Sequence, residues 1–242
     1  MRAVRQALAV LAVVPLLTAC SGKDAALAQQ LLTQAQQAQS SVTSETFSAH
    51  VTITAKDQNV GLVMSGGGYA KGPNAGDVVM DMSLSSSVPL PVSSMEFAKV
   101  GDSAWVEIDG KRTAVPVTAF GGQTGSTNPL GSFDLTRYVK DVSVETGQVL
   151  DGKSVTKITG ILDTAALVQG LGSLGGASSA AGLPDLSGKV GDTRAVIYID
   201  DTTHLLVTAL ADLTLHGDGG DVTMHLDVAI TGVNQPVALP SA

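Results

Sequence analysis

The sequence predicts an α+β fold: one large, strongly curved antiparallel β-sheet with helical segments before and within it. Three observations lead there. The apolar period is helical before residue 40 and switches to two after residue 45. Asp-Gly and Gly-Asp pairs separate the alternating runs, as hairpin turns do. Long helical segments do not alternate with the strands, which excludes a chain of βαβ units. With 242 residues, 44% hydrophobic and 15% charged, the chain has ample material for a core and lacks the composition of a disordered one. One cysteine excludes a disulfide scaffold and a thiolate-built metal centre. Formal charge is −8, and −10 without the first 19 residues and their two arginines. With no Lys/Arg cluster to displace counterions, nucleic acid is excluded as an expected partner.

Residues 1–19 read as a lipoprotein signal peptide. Arg2 and Arg5 form a basic start and Ala7–Leu17 is apolar. A helix of that length rises only about 16 Å, too short for a hydrocarbon core of about 30 Å. Leu17-Thr18-Ala19-Cys20 has the form of a bacterial lipobox, with small residues before a cysteine that becomes the new N-terminus. An ordinary signal peptide ending on an incidental cysteine, or a short anchor, is the plainer alternative. Similarity to bacterial lipoproteins implies a thioether-linked diacylglycerol on Cys20. Each buried methylene contributes ~0.8 kcal/mol, so two chains hold a protein on a membrane where one does not. Residues 20–23 then form the lipidated tether, and residues 24–242 one domain on the extracytoplasmic side of the cell membrane.

Asp24–Ser40 is the first expected element, a helix with Leu27, Leu31, Ala35 and Ala38 along one stripe and Asp24 as N-cap; a flexible tether is the alternative near its start. Around ten strands follow. His50–Thr54 alternates, as do Val78, Met80, Met82 and Leu84. Phe97–Val100 and Ser103–Ile108 flank Gly101-Asp102, and Asp141–Leu150 and Ser154–Gly160 flank Asp151-Gly152. Arg194–Ile199, Leu205–His216 and Asp221–Ile230 repeat the form. Short helices are expected over Ser132–Val139 and from Asp163 towards Leu174, and Gly170–Gly191 as a mobile loop of one domain at a cavity mouth, with a linker between two domains as the alternative. In the last hairpin the odd apolar positions of one strand and the even ones of the other share a face only if paired numbers sum to an odd value. A loop over Gly217–Gly220 supplies this, setting Leu215 against Val222, Leu213 against Met224, and Asp212 against His225 on the other face.

No motif for a nucleophile elbow, a zinc-binding helix or a phosphate loop is present, and no cofactor is expected. Asp212 and His225 read as a solvated cross-strand pair, with half of a catalytic triad as the sharper alternative. Gly217–Asp221 lacks the spaced oxygens of a calcium loop, and Ser65–Gly68 leads into a strand, not a helix that holds phosphate. The composition carries one positive signal. Methionine lies on strand candidates in a chain with only 3% aromatics, and it adapts to irregular apolar surfaces and varied ligands. Ordinary core filling is the alternative.

Several segments together resemble the LppX/LprA/LprF/LprG family of actinobacterial envelope lipoproteins. They are Ser48–Ile53 behind the helix, the hairpin Val149-Leu150-Asp151-Gly152-Lys153-Ser154-Val155-Thr156-Lys157-Ile158-Thr159-Gly160, the strand Ala195–Asp200 with Thr203-His204-Leu205, and the closing Pro236–Pro240. Tyr198 stands where tryptophan is common in the family, and the Gly/Ala/Ser loop before that strand is longer. The resemblance implies a half-barrel similar to the periplasmic lipoprotein carriers, with helices covering the concave face of the sheet around a hydrophobic cavity for multiply acylated lipids. It also implies movement of lipids or glycolipids towards the outer envelope, with an envelope transporter as partner. The expected cavity lining is the apolar parity of the strands: Met64, Met80, Met82, Phe97, Val106, Ile197, Leu213, Leu215, Met224, Leu226 and Val228. A lipid carrier is thus the expected function, not an enzyme. The alternatives are a non-transporting lipoprotein that binds a partner or serves structure, and an extracytoplasmic hydrolase.

Overall fold

Strands begin where the alternation begins. The structure, a computed structural model, describes residues 20–56, 58–87, 92–117, 139–163, 193–217 and 220–241. One helix, α1 (Cys20–Gln39), precedes β1 (Ser44–Ala55), β2 (Gln58–Tyr69), β3 (Val78–Ser86), β4 (Ser94–Val100), β5 (Ser103–Ile108) and β6 (Lys111–Ala114). Then follow β7 (Val139–Leu150), β8 (Lys153–Leu162), β9 (Thr193–Asp200), β10 (Leu206–Gly217) and β11 (Gly220–Val233). All eleven join one antiparallel sheet in the order β6-β5-β4-β3-β2-β1-β11-β10-β9-β8-β7. The first six strands therefore march outward from the middle. The last five return from the far edge and close against β1 through β11, about 180 residues along the chain from its start. Among the described residues β6 and β7 are the two edges, so the sheet is open. Neighbouring strands rotate by about 20–25°, and ten such steps accumulate roughly 200–250° of twist.

Turn chemistry fixes the hairpins. Asp151 and Gly152 have φ of 50° and 78°, the paired positive values that a type I′ turn requires. β8 and β9 pair directly across the long segment between them. The last hairpin has the expected register, Leu215 opposite Val222 and Leu213 opposite Met224, but Gly217 and Gly220 are themselves paired, so only residues 218 and 219 lie between the strands.

Three sequence expectations change. α1 starts at Cys20, which places Asp24 inside the helix instead of at its N-cap. Its packed stripe is also turned by one residue: Ala28 (2% exposed) and Leu32 (7%) are buried with Leu31 and Ala35 beside them, while Leu27 is 37% exposed. Val139 opens β7 and does not end a helix. The rest of the helix expected over Ser132–Val139, the helix from residue 164 onward and the loop Gly170–Gly191 lie outside the described residues, as does the signal peptide.

The two faces of the sheet are covered at opposite ends. α1 packs on one face against Ile158, Ile197 and Ile199, with Val139, Val142, Val144 and Leu206 around them. On the other face the chain leaves β11 at Asn234, in the left-handed region with φ 56°, and runs back as a strap over β2–β5. There Val237 and Leu239 join Val79, Ala98, Trp105 and Tyr69. The Asn234 side chain accepts the Thr43 N–H and hydroxyl, and the Tyr69 hydroxyl accepts the Val237 N–H at 2.9 Å. Gly67 lies beneath the strap, and a Cβ there would come within 3.1 Å of Val237 Cγ1 and 2.7 Å of the Glu45 carbonyl.

Candidate functional site

Pairing register places side chains on faces without further assumption, because strand side chains alternate. Starting from Ala49, partners on either side give the row Lys111, Ile108, Met95, Met82, Met64, Ala49, Val228, Ala209, Ile197, Ile158 and Val144. This row crosses every strand, and only Lys111 at the β6 edge is polar. Ten steps of about 4.8 Å make it roughly 48 Å along the sheet. A second row on the same face runs Val106, Phe97, Met80, Gly66, Phe47 and Ile230. Leu213 with Met224, Leu215 with Val222, and Leu226 with Ala211 continue the face. The register therefore brings all of the expected lining residues, Met64, Met80, Met82, Phe97, Val106, Ile197, Leu213, Leu215, Met224, Leu226 and Val228, onto one face of the sheet.

That face is closed at one end and looser at the other. Under α1, Ile158, Ile197 and Ile199 are 1–3% exposed. Across β2–β4 and β10–β11, Leu62, Met64, Met80, Met82, Met95, Phe97, Leu213, Met224 and Leu226 are only half-buried. Ile108 at its margin is 40% exposed. Beside the closed end, a cleft of about 490 Å³ opens between α1 and β7, lined by Ala25, Ala28, Gln29 and Leu32 of the helix and by Val139–Val142 of the strand. Of the helices expected over this face, α1 is the one among the described residues.

Sequence reasoning missed Ala49, Met95, Ile108, Val144 and Ile158 as members of the face. The signal that identifies them is the constant sum of paired numbers, which needs the strand partners to be known. It also missed the strap and the cleft under α1, since both come from contacts between distant segments.

Polar chemistry lies on the opposite face. His225 Nδ1 and Asp212 Oδ1 are 2.6 Å apart, and His216 Nδ1 and Asp221 Oδ1 2.9 Å, with all four side chains more than half exposed. Such exposed pairs contribute under about 1 kcal/mol. Asp81, Glu96 and Glu107 line a shallow hollow of about 290 Å³ over β3–β5. Partial burial, then the charge of Glu96, holds the Asp81 carboxyl above the usual carboxylate range. Arg112 answers that acidity: its guanidinium meets Glu107 at 3.3 Å and stacks 4.4 Å from the Trp105 ring, whose indole N–H donates to Glu96 at 3.0 Å. Among the described residues no three His, Cys, Asp or Glu side chains are arranged to hold a metal ion, and no helix is long and apolar enough to cross a membrane.

Comparison with known proteins follows from this geometry. No protein-family model and no curated protein gives a significant match. Solved structures do. The likeness is to LprF and LppX. LprF from Mycobacterium bovis is 18% identical, with 89% of this chain and 97% of that one covered, at a TM-score of 0.49. The Mycobacterium tuberculosis lipoprotein LppX is 17% identical over 89% and 99%, at 0.46. A LolA superfamily protein from Nitrosomonas europaea is 10% identical over 89% and 94%, at 0.26.

Proposed function

We propose that the apolar face binds the acyl chains of a multiply acylated lipid or glycolipid. Anchored through a diacylglyceryl group on Cys20 at the extracytoplasmic side of the membrane, the single domain helps move such lipids across the cell envelope, handing them to or taking them from an envelope transporter. The observation that carries this reading is the apolar row that crosses all eleven described strands while Met95, Met82, Met64, Val228 and Ala209 along it stay half-buried. Fully burying a Leu, Met or Phe contributes about 1.5–3 kcal/mol. A sheet that leaves so many of them incompletely packed gives up that stabilisation, and a ligand that occupies the folded state alone restores part of it. The unbranched methionines of β2–β4 suit a ligand whose shape varies. The described elements, an open antiparallel sheet with α1 packed at one end, fit the half-barrel expected of such a carrier.

Native mass spectrometry tests the reading. A Cys20→Ala chain behind a conventionally cleaved signal is expected in the soluble fraction, with di- or triacylated lipid co-purifying. Met82→Trp and Leu213→Trp, which fill the face, are expected to abolish that lipid with the sheet intact by circular dichroism. A lipid-free protein that also fails to take up a fluorescent acyl probe sinks the carrier reading in favour of a module that binds a protein partner. A Cys20→Ala chain still held on the membrane sinks the anchor.

A further inference from the structure

The chain has six methionines, and apart from Met1 all but Met224 lie on three adjacent strands of one face: Met64 on β2, Met80 and Met82 on β3, Met95 on β4. Met82 pairs directly with Met64 on one side and with Met95 on the other. Apart from Met224, the apolar side chains elsewhere on that face are Ala, Val, Leu, Ile and Phe, which pack without sulfur. Cross-strand neighbours stand about 5 Å apart, so Met64 and Met95 flank Met82 at roughly 5 Å each. Methionine has three freely rotating bonds before its methyl, enough for thioethers from both flanks to lean over the middle one. All three side chains are half-buried, open enough for an ion to enter and shielded enough to hold it.

We propose that Met64, Met82 and Met95 form a three-thioether site for a soft monovalent cation, Cu(I). The donor set decides the ion. Neutral thioethers are poor ligands for Mg2+ or Ca2+, which take oxygen, and for Zn2+, which takes imidazole, thiolate or carboxylate; they select Cu(I). A monovalent ion also limits the charge placed on an apolar surface. Asp81, between Met80 and Met82 on β3, and its partner Glu96 on β4 lie on the reverse face of the same strands and supply compensating negative potential. The site does not depend on the acyl-chain reading, although it uses part of the same face.

Ag(I), a stable diamagnetic substitute for Cu(I), tests it in the full chain carrying Cys20→Ala, which removes the single thiol. With methyl-13C methionine, one equivalent of Ag(I) is expected to move the Met64, Met82 and Met95 methyl resonances together and leave that of Met224 in place. Met82→Leu, close in shape, is expected to abolish the shifts at Met64 and Met95, with an unchanged Met224 resonance reporting an intact sheet. Met95→Leu provides the same test from the flank if Met82→Leu fails to fold. Shifts that need a large excess of Ag(I), or that persist at Met64 in both variants, overturn the proposal, because the thioethers then act singly.

Discussion

Asp81 and Asp109 are carboxyls of the same half of the sheet that titrate in opposite directions. Asp109 occupies the turn between β5 and β6 with φ 46°, and its carboxylate accepts the N–H groups of Ser94 (3.1 Å) and Ser93 (3.2 Å) as well as their hydroxyls. Those bonds stabilise the ionised form and lower its pKa below 3.8, whereas Asp81 is raised by burial and by Glu96. A lowered carboxyl gives stability that is present above its unfolded value and lost as pH falls through its folded one; a raised carboxyl costs stability as pH rises through its folded value. Asp109→Asn is therefore expected to lower the urea midpoint at pH 7, with the deficit shrinking below pH 3.8. Asp81→Asn is expected to raise the midpoint at pH 7 and to leave it unchanged below pH 3.8. Urea midpoints at the two pH values check both, and a fall for Asp81→Asn at pH 7 contradicts the assignment.

The helix carries a sharper test of packing than any strand, because two neighbouring stripes compete. A stripe through Leu27 is what the leucine spacing predicts, yet Ala28 and Leu32 face Ile158, Ile197 and Ile199. Leu32→Ala is expected to cost about 2–5 kcal/mol, while Leu27→Ala stays within about 0.5 kcal/mol of the parent. Denaturant unfolding of the two variants checks the orientation, and a reversed order restores the sequence stripe. The error has a physical origin: on a glutamine-rich helix, alanines serve on either side of the stripe, and only the partner sheet decides which face turns inward. Strands were more legible, since alternation and the Asp-Gly turn are local. β6 was not, because Lys111–Ala114 has no apolar alternation and exists only by pairing with β5. The last part of β2 was obscured for a related reason, its Gly66–Gly68 run lacking the side chains that mark a face. The strap was invisible because Val237 meets Trp105 and Val79 only after the chain has closed.

At the scale of the whole molecule, the apolar face follows from the pairing of eleven described strands, and parity alone recovered part of it because alternation within a strand already separates its two faces. The order of the strands was not legible: nothing local tells β11 to lie beside β1. The half-buried centre of that face leads to a thermodynamic consequence that needs no lipid to be identified. A ligand that binds the folded chain only stabilises it by RT ln(1 + [L]/Kd), about 2.7 kcal/mol at a hundredfold excess over Kd. For a domain of this size each kcal/mol moves Tm by about 2–4 °C, so saturation with a diacyl phospholipid is expected to raise Tm by roughly 5–11 °C. Leu213→Trp fills the same surface with its own side chain and is expected to respond by less than about 2 °C while starting from a parent-like or higher Tm, since no ligand is then needed to cover that part of the face. Calorimetry with and without the phospholipid measures both numbers. An equal shift in parent and variant places the lipid somewhere other than this face, and no shift in the parent at concentrations where a fluorescent acyl probe is bound means that binding leaves the folding equilibrium untouched, which a ligand specific to the packed sheet does not do.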